Sequence, residues 1–219
     1  GPERACAQGW ISPKAMRNGI IVTVLFACLI GSALLFYAGW ELIIVGLLCV
    51  LFAFLYTTGP YPLSYNGWGD VLVIVFFGFV PVGGTYYVQA LTWTSDTTVA
   101  SLICGLLIDT LLVVNNYRDR EADARSGKRT VIVRFGEKFG RYLYLMLGVT
   151  ASLLCFWFFF EGHLFAALLP LLYLIPHVLT WRRMVQIHSG KKLNSILGET
   201  SRNMLLMGIL LSIGFLIRH

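Results

Sequence analysis

Residues 115–130 read NNYRDREADARSGKRT, a polar segment that follows directly on the apolar run 98–114. Asn115, Asp119 and Asp123 recur every four residues, so on a continued helix they stack along one face. At about 1.5 Å rise per residue, the two carboxylates would lie roughly 6 Å apart along the axis. An amide and two carboxylates so arranged offer the oxygen ligands that hard divalent cations take. Lys128 and Arg129 follow on the next turn, two cations suited to phosphate. On a helical wheel Asp109, Asn115, Asn116, Asp119 and Asp123 share an arc of roughly 120°, while Arg118 and Arg125 point away from it. The pattern predicts a metal site beside a phosphate clamp. Its plainer alternative is an interfacial loop held by Arg–Asp pairs.

A second polar stretch, residues 57–70, reads TTGPYPLSYNGWGD. Its prolines, glycines and aromatics predict a fixed, turn-rich loop carrying Tyr61, Tyr65 and Trp68 near a membrane interface. Asp70 at its end is a ligand, an acid–base group or a helix cap on sequence grounds. Asp109 falls about two turns inside an apolar run, where an ionisable side chain is costly and faces a cavity or a partner helix. The four histidines have no convergent spacing, and no serine sits in a nucleophile-elbow context.

The elements that must position these groups are membrane helices. The chain is 57% hydrophobic and only 13% charged, with a mean hydropathy of +0.74. Apolar runs recur at 20–37, 42–56, 71–88, 98–114, 142–160, 164–180 and 204–217, and they lack two-residue alternation. Seven transmembrane helices are therefore expected, in an all-α integral membrane bundle. Threading them alternately places all of the 17 Lys and Arg residues except Arg218 on one side, which the positive-inside rule makes cytoplasmic. That topology also accounts for the net charge of +6, so no nucleic-acid partner is implied. Five cysteines without CxxC or Cys/His spacing point to neither zinc nor a disulfide framework.

With these residues in view, the pattern NNxRDxxxDxxxGKxT followed by VRxG resembles the second aspartate-rich motif of the UbiA superfamily of intramembrane aromatic prenyltransferases. It is most similar to the menaquinone branch, the MenA-like 1,4-dihydroxy-2-naphthoate polyprenyltransferases. YTTGPYPLSYNGWGD followed by FFG resembles a loop of that branch, and GPERACAQGWIS resembles the stretch just after the family's first aspartate-rich motif. The resemblance implies a single transmembrane prenyltransferase domain over 1–219, comprising family helices three to nine of nine. It also implies a chain truncated at its amino terminus and inactive alone.

The implied substrates are a polyprenyl diphosphate and 1,4-dihydroxy-2-naphthoate, within the bilayer of the inner (cytoplasmic) membrane. The implied cofactor is Mg2+, held by Asn115, Asp119 and Asp123. By the same resemblance Lys128 and Arg129 bind diphosphate, and Arg4 and Asp70 are further substrate-binding candidates. Tyr61 and Tyr65 are candidates to stabilise an allylic cation by their ring faces. Another aromatic acceptor, a transporter or a non-catalytic membrane subunit are the alternatives. A transporter predicts acids along a path between both faces, whereas Asp109 is the one clear acid inside a span.

Overall fold

The computed structural model of the chain describes residues 5–217, and among the described residues there is no strand. In chain order the principal helices are α1 (Pro13–Phe36), α2 (Glu41–Thr57), α3 (Gly69–Ala90), α4 (Ser95–Arg125), α5 (Val131–Phe135), α6 (Glu137–Phe160), α7 (Leu164–Ile187) and α8 (Lys191–Leu216). Six of these are long and apolar enough to cross a bilayer, and α2 is a shorter apolar helix. The expected all-α membrane architecture is therefore what the chain forms, and it is a multi-pass membrane protein.

The chain divides into two compact units after Leu55. In the first, α1 begins where Ser12 Oγ accepts a hydrogen bond from Ala15 N at 3.1 Å and Pro13 fills the first helical position. Helix α2 follows and runs across the boundary.

In the second unit α4 is the central element, packed against α3, α6 and α8. Thr94 Oγ1 caps it by accepting from Thr97 N at 3.1 Å. Its 31 residues would extend about 46 Å, well beyond the roughly 30 Å hydrocarbon core. Its polar last turns, through Arg125, remain helical. That is the continuation the 115–125 spacing requires. Against α3 the backbones approach closely. A Cβ on Gly78 would lie 2.5 Å from the Ser101 carbonyl, and one on Gly105 would lie 2.9 Å from Ile74 Cα. Small residues at such crossings are how membrane helices gain contact. The same stretch of α3 is π-helical over Ile74–Gly83 and contains Pro81, which cannot donate to the helical ladder.

The carboxy-terminal region departs from expectation. Between the apolar runs 164–180 and 204–217 the sequence leaves a polar stretch, 182–202, that reads as a loop, yet α7 continues to Ile187 and α8 has already begun at Lys191. The polar side chains are helical because neighbouring helices satisfy them. Arg183 pairs with Glu199 at 2.5 Å, Asn203 Nδ2 donates to Thr180 Oγ1 at 2.9 Å, and the Tyr144 and Thr200 hydroxyls lie 2.9 Å apart.

Candidate active site

The end of α4 carries the acidic segment. Asn115, Asp119 and Asp123 are all on the helix, each half-buried, whereas Asn116 is buried. Arg118 grips Asp119 in a fork: Nε donates to Oδ1 at 2.8 Å and Nη2 to Oδ2 at 2.7 Å. Its third nitrogen, Nη1, donates to Asn194 Oδ1 at 2.9 Å and so ties α4 to the start of α8. The wheel points Arg118 away from the acidic arc, yet its guanidinium reaches the neighbouring Asp119. A wheel assigns faces from Cα positions, and a guanidinium on a long stem reaches back to the neighbouring carboxylate.

After Arg125 the helix ends, and the chain turns instead of adding another helical turn. Lys128 folds back onto Asp123 twice: its backbone N donates to the Asp123 carbonyl at 2.9 Å, and Nζ to Oδ2 at 3.1 Å. Lys128 thus stands beside the carboxylates because of a turn, and Arg129 is carried past them with an exposed side chain.

The two candidate loops are stitched together by backbone. Arg129 N donates to the Tyr65 carbonyl at 2.8 Å, and Arg134 Nη2 donates to the Asn66 carbonyl at 2.7 Å. Within the 57–70 stretch, Ser64 Oγ donates to the Tyr56 carbonyl at 2.6 Å and Asn66 Nδ2 to the Pro62 carbonyl at 2.8 Å. Gly67, at φ +81°, sits where a Cβ would come within 3.1 Å of the Arg129 carbonyl. Only glycine takes that conformation without strain. Tyr61 and Tyr65 are both exposed on this loop.

Asp70 lies in the first turn of α3. Gly69 faces Leu112 and the Tyr56 hydroxyl, and Ile74 faces Gly105. This antiparallel register sets Asp70 across from the α4 turn that bears Asp109. Asp109 is 1% exposed, and its Oδ1, like Asp70 Oδ1, has no hydrogen-bond partner. That Asp109 oxygen therefore makes no hydrogen bond to a partner helix. Arg4 lies outside the described residues.

A further cluster escaped the sequence reading. Glu137, at the start of α6, pairs with Arg120 at 3.2 Å, with Arg141 and with His188 at 3.2 Å. The Tyr117 hydroxyl donates to Glu137 Oε1 at 3.0 Å and accepts from Arg141 Nε at 3.0 Å. Tyr117, one of the tyrosines nearest the acidic segment in sequence, is fully buried in this cluster. The Glu137–Arg141 spacing of four residues is the signal that could have flagged it.

A family model described as the UbiA prenyltransferase family matches residues 1–212. The chain belongs to the UbiA prenyltransferase family. This UbiA chain is 35% identical over 230 residues to the 1,4-dihydroxy-2-naphthoate octaprenyltransferase of Haemophilus influenzae, covering 99% of the chain and 73% of that relative. It is 38% identical over 161 residues to the protein of the same name from Escherichia coli, covering 71% of the chain and 52% of the relative. The Mycobacterium leprae protein of that name is 37% identical over 154 residues, covering 70% of the chain and 52% of the relative. The chain thus spans about half the length of these last two. No solved structure matches it.

UbiA prenyltransferases generally depend on a divalent metal. Among the described residues no three His, Cys, Asp or Glu side chains gather into a cage for one. The end of α4 fits a different mode. Small hard cations commonly bind one or two carboxylates and complete their shell with water and substrate phosphate. The oxygen-only donors of Asn115, Asp119 and Asp123 suit that mode.

Proposed function

We propose that the protein transfers a polyprenyl group from a polyprenyl diphosphate to 1,4-dihydroxy-2-naphthoate, with loss of the acceptor carboxylate as CO2. The product has the demethylmenaquinone skeleton. The observation that carries this reading is the end of α4 in a UbiA chain, where two carboxylates one turn apart are each held by a cation. The relatives' name supplies the acceptor, and the concentration of Lys and Arg on one side supports a bacterial inner membrane with this site facing the cytoplasm.

In this reading Asn115, Asp119 and Asp123 hold magnesium. When bound, it supplies Lewis-acid stabilisation of the negative charge gathering on the departing diphosphate. Arg118 fixes the Asp119 carboxylate by its two parallel hydrogen bonds, so that the oxygens are oriented before substrate arrives. Lys128 and Arg129 bind diphosphate oxygens, and Lys128 is already placed by its contact with Asp123. The allylic C–O bond breaks with its electron pair going to diphosphate. The ring faces of Tyr61 and Tyr65 stabilise the resulting carbocation and keep water from it. The electron-rich acceptor ring then forms the new C–C bond, and departure of CO2 returns a bonding pair to the ring. Asp70, with Asp109 across from it, accepts hydrogen bonds from the acceptor hydroxyls, which gives partners to oxygens that have none.

The test is prenyl transfer by membranes carrying wild-type protein or Asp119→Asn, supplied with polyprenyl diphosphate, acceptor and magnesium. The variant is expected to lose at least about 100-fold in rate at equal protein level, equivalent to about 2.7 kcal/mol. Unchanged turnover would remove the carboxylates from the reaction.

A further inference from the structure

Helices α7 and α8 flank an open groove of about 480 Å3 whose lining carries three arginines, Arg182, Arg183 and Arg202. Its floor is built from buried polar side chains: Thr180, Glu199 and Asn203 are each 8% exposed or less. Asn203 donates to Thr180, and Glu199 takes Arg183, so the floor is satisfied and fixed. Arg182 and Arg202 stand exposed at the rim and make no ion pair among the described residues. Three guanidinium groups against one carboxylate leave an excess of two positive charges.

Depth makes that excess matter. Asn194, at the start of α8, is bonded to Arg118, so this end of α8 lies level with the acidic end of α4. Arg202 is eight residues further along the helix, about 12 Å toward the membrane. An unpaired cation this close to the apolar run 204–217 favours an anionic neighbour. Leu179 and Pro176 continue the same wall with apolar surface. A guanidinium fork matches phosphate oxygens, and basic pockets between membrane helices are the usual seats of anionic headgroups.

We propose that the α7–α8 groove binds the phosphate of an anionic phospholipid, with Arg182 and Arg202 gripping the headgroup and an acyl chain lying along Leu179 and Pro176. The shared chemistry, a phosphate oxyanion, also describes free phosphate, so the test includes both. Protein purified in neutral detergent is titrated with phosphatidylglycerol, phosphatidylcholine or inorganic phosphate, and retained ligand is counted by native mass spectrometry.

Phosphatidylglycerol is expected to be retained at concentrations at least about 10-fold lower than phosphatidylcholine, a difference of about 1.4 kcal/mol. Inorganic phosphate is expected not to displace it at millimolar levels. The Arg182→Gln/Arg202→Gln pair should abolish the preference. Lys191→Gln/Lys192→Gln, which removes two exposed cations of the adjoining turn that do not line the groove, should keep it. Should the Gln pair not fold, Arg182→Lys/Arg202→Lys decides instead: it keeps the charge but loses the fork, and binding should weaken at least 3-fold. Equal retention of the two lipids, preference surviving in the arginine variants, or displacement by phosphate would each overturn the proposal.

Discussion

Two clusters of charge meet at the end of α4, and they differ in how many carboxylate oxygens are left for a further ligand. One holds Asp119 and Asp123 against Arg118 and Lys128; the other holds Glu137 against Arg120, Arg141, His188 and the Tyr117 hydroxyl. Solvent does not separate them, since the carboxylate side chains are 28%, 14% and 27% exposed. Stoichiometry does. Each acid of the first cluster has one cationic partner, and Asp119 spends both of its contacts on a single fork. Oxygen lone pairs remain for a further ligand. Glu137 instead meets four donors from three separate segments, so its capacity is used and its effect is to clamp α4, α6 and the turn after α7 together. Ion pairs of similar appearance thus serve opposite ends: one orients carboxylates, the other consumes one.

The sharpest way to break this contrast is to neutralise one acid of each cluster. Asp123→Asn keeps the size and the helical turn but removes the charge that the proposed metal–diphosphate site would use. Prenyl transfer is expected to fall at least about 100-fold, roughly 2.7 kcal/mol in the barrier, with the melting temperature unchanged within a degree or two. Glu137→Gln should do the reverse. Weakening several charged hydrogen bonds at a partly exposed site costs about 1–2 kcal/mol of stability. Its turnover per folded molecule should stay within about 3-fold of wild type. Thermal unfolding in detergent beside a turnover assay reads both effects, and exchanged phenotypes would mean that the cluster roles are assigned the wrong way round.

Much of the site was legible because it is local. Residues four apart on a helix share a face by geometry alone, so Asn115, Asp119 and Asp123 needed only the helix to continue. Arg118 was misplaced because a face drawn through Cα atoms ignores the reach of a long side chain. A polar α8 residue such as Glu199 looked like loop because the partner that satisfies it, Arg183, lies on another helix. The join between Tyr65 and Arg129 is a backbone hydrogen bond across more than sixty residues, and backbone groups carry no sequence signal at all. The membrane fold itself was legible from apolar runs, since lipid leaves the backbone few alternatives.

That backbone join suggests the smallest and most discriminating prediction. If the backbone join to Tyr65 sets Arg129 beside the first cluster, disturbing the 57–70 loop should affect catalysis without loosening the Glu137 clamp. Gly67→Ala places a Cβ 3.1 Å from the Arg129 carbonyl and 3.4 Å from the Arg134 guanidinium carbon, at φ +81°. Gly59→Ala imposes comparable strain at φ +94° with nothing within 4 Å. Both should lose about 1 kcal/mol of stability from the left-handed backbone. Only Gly67→Ala should also push on Arg129, raising KM for the polyprenyl diphosphate about 3-fold while kcat changes little. Steady-state kinetics on the two variants isolates the contact from the strain. An equal rise in both would show that strain alone is felt, and that the join to Tyr65 does not position the cations proposed to bind phosphate.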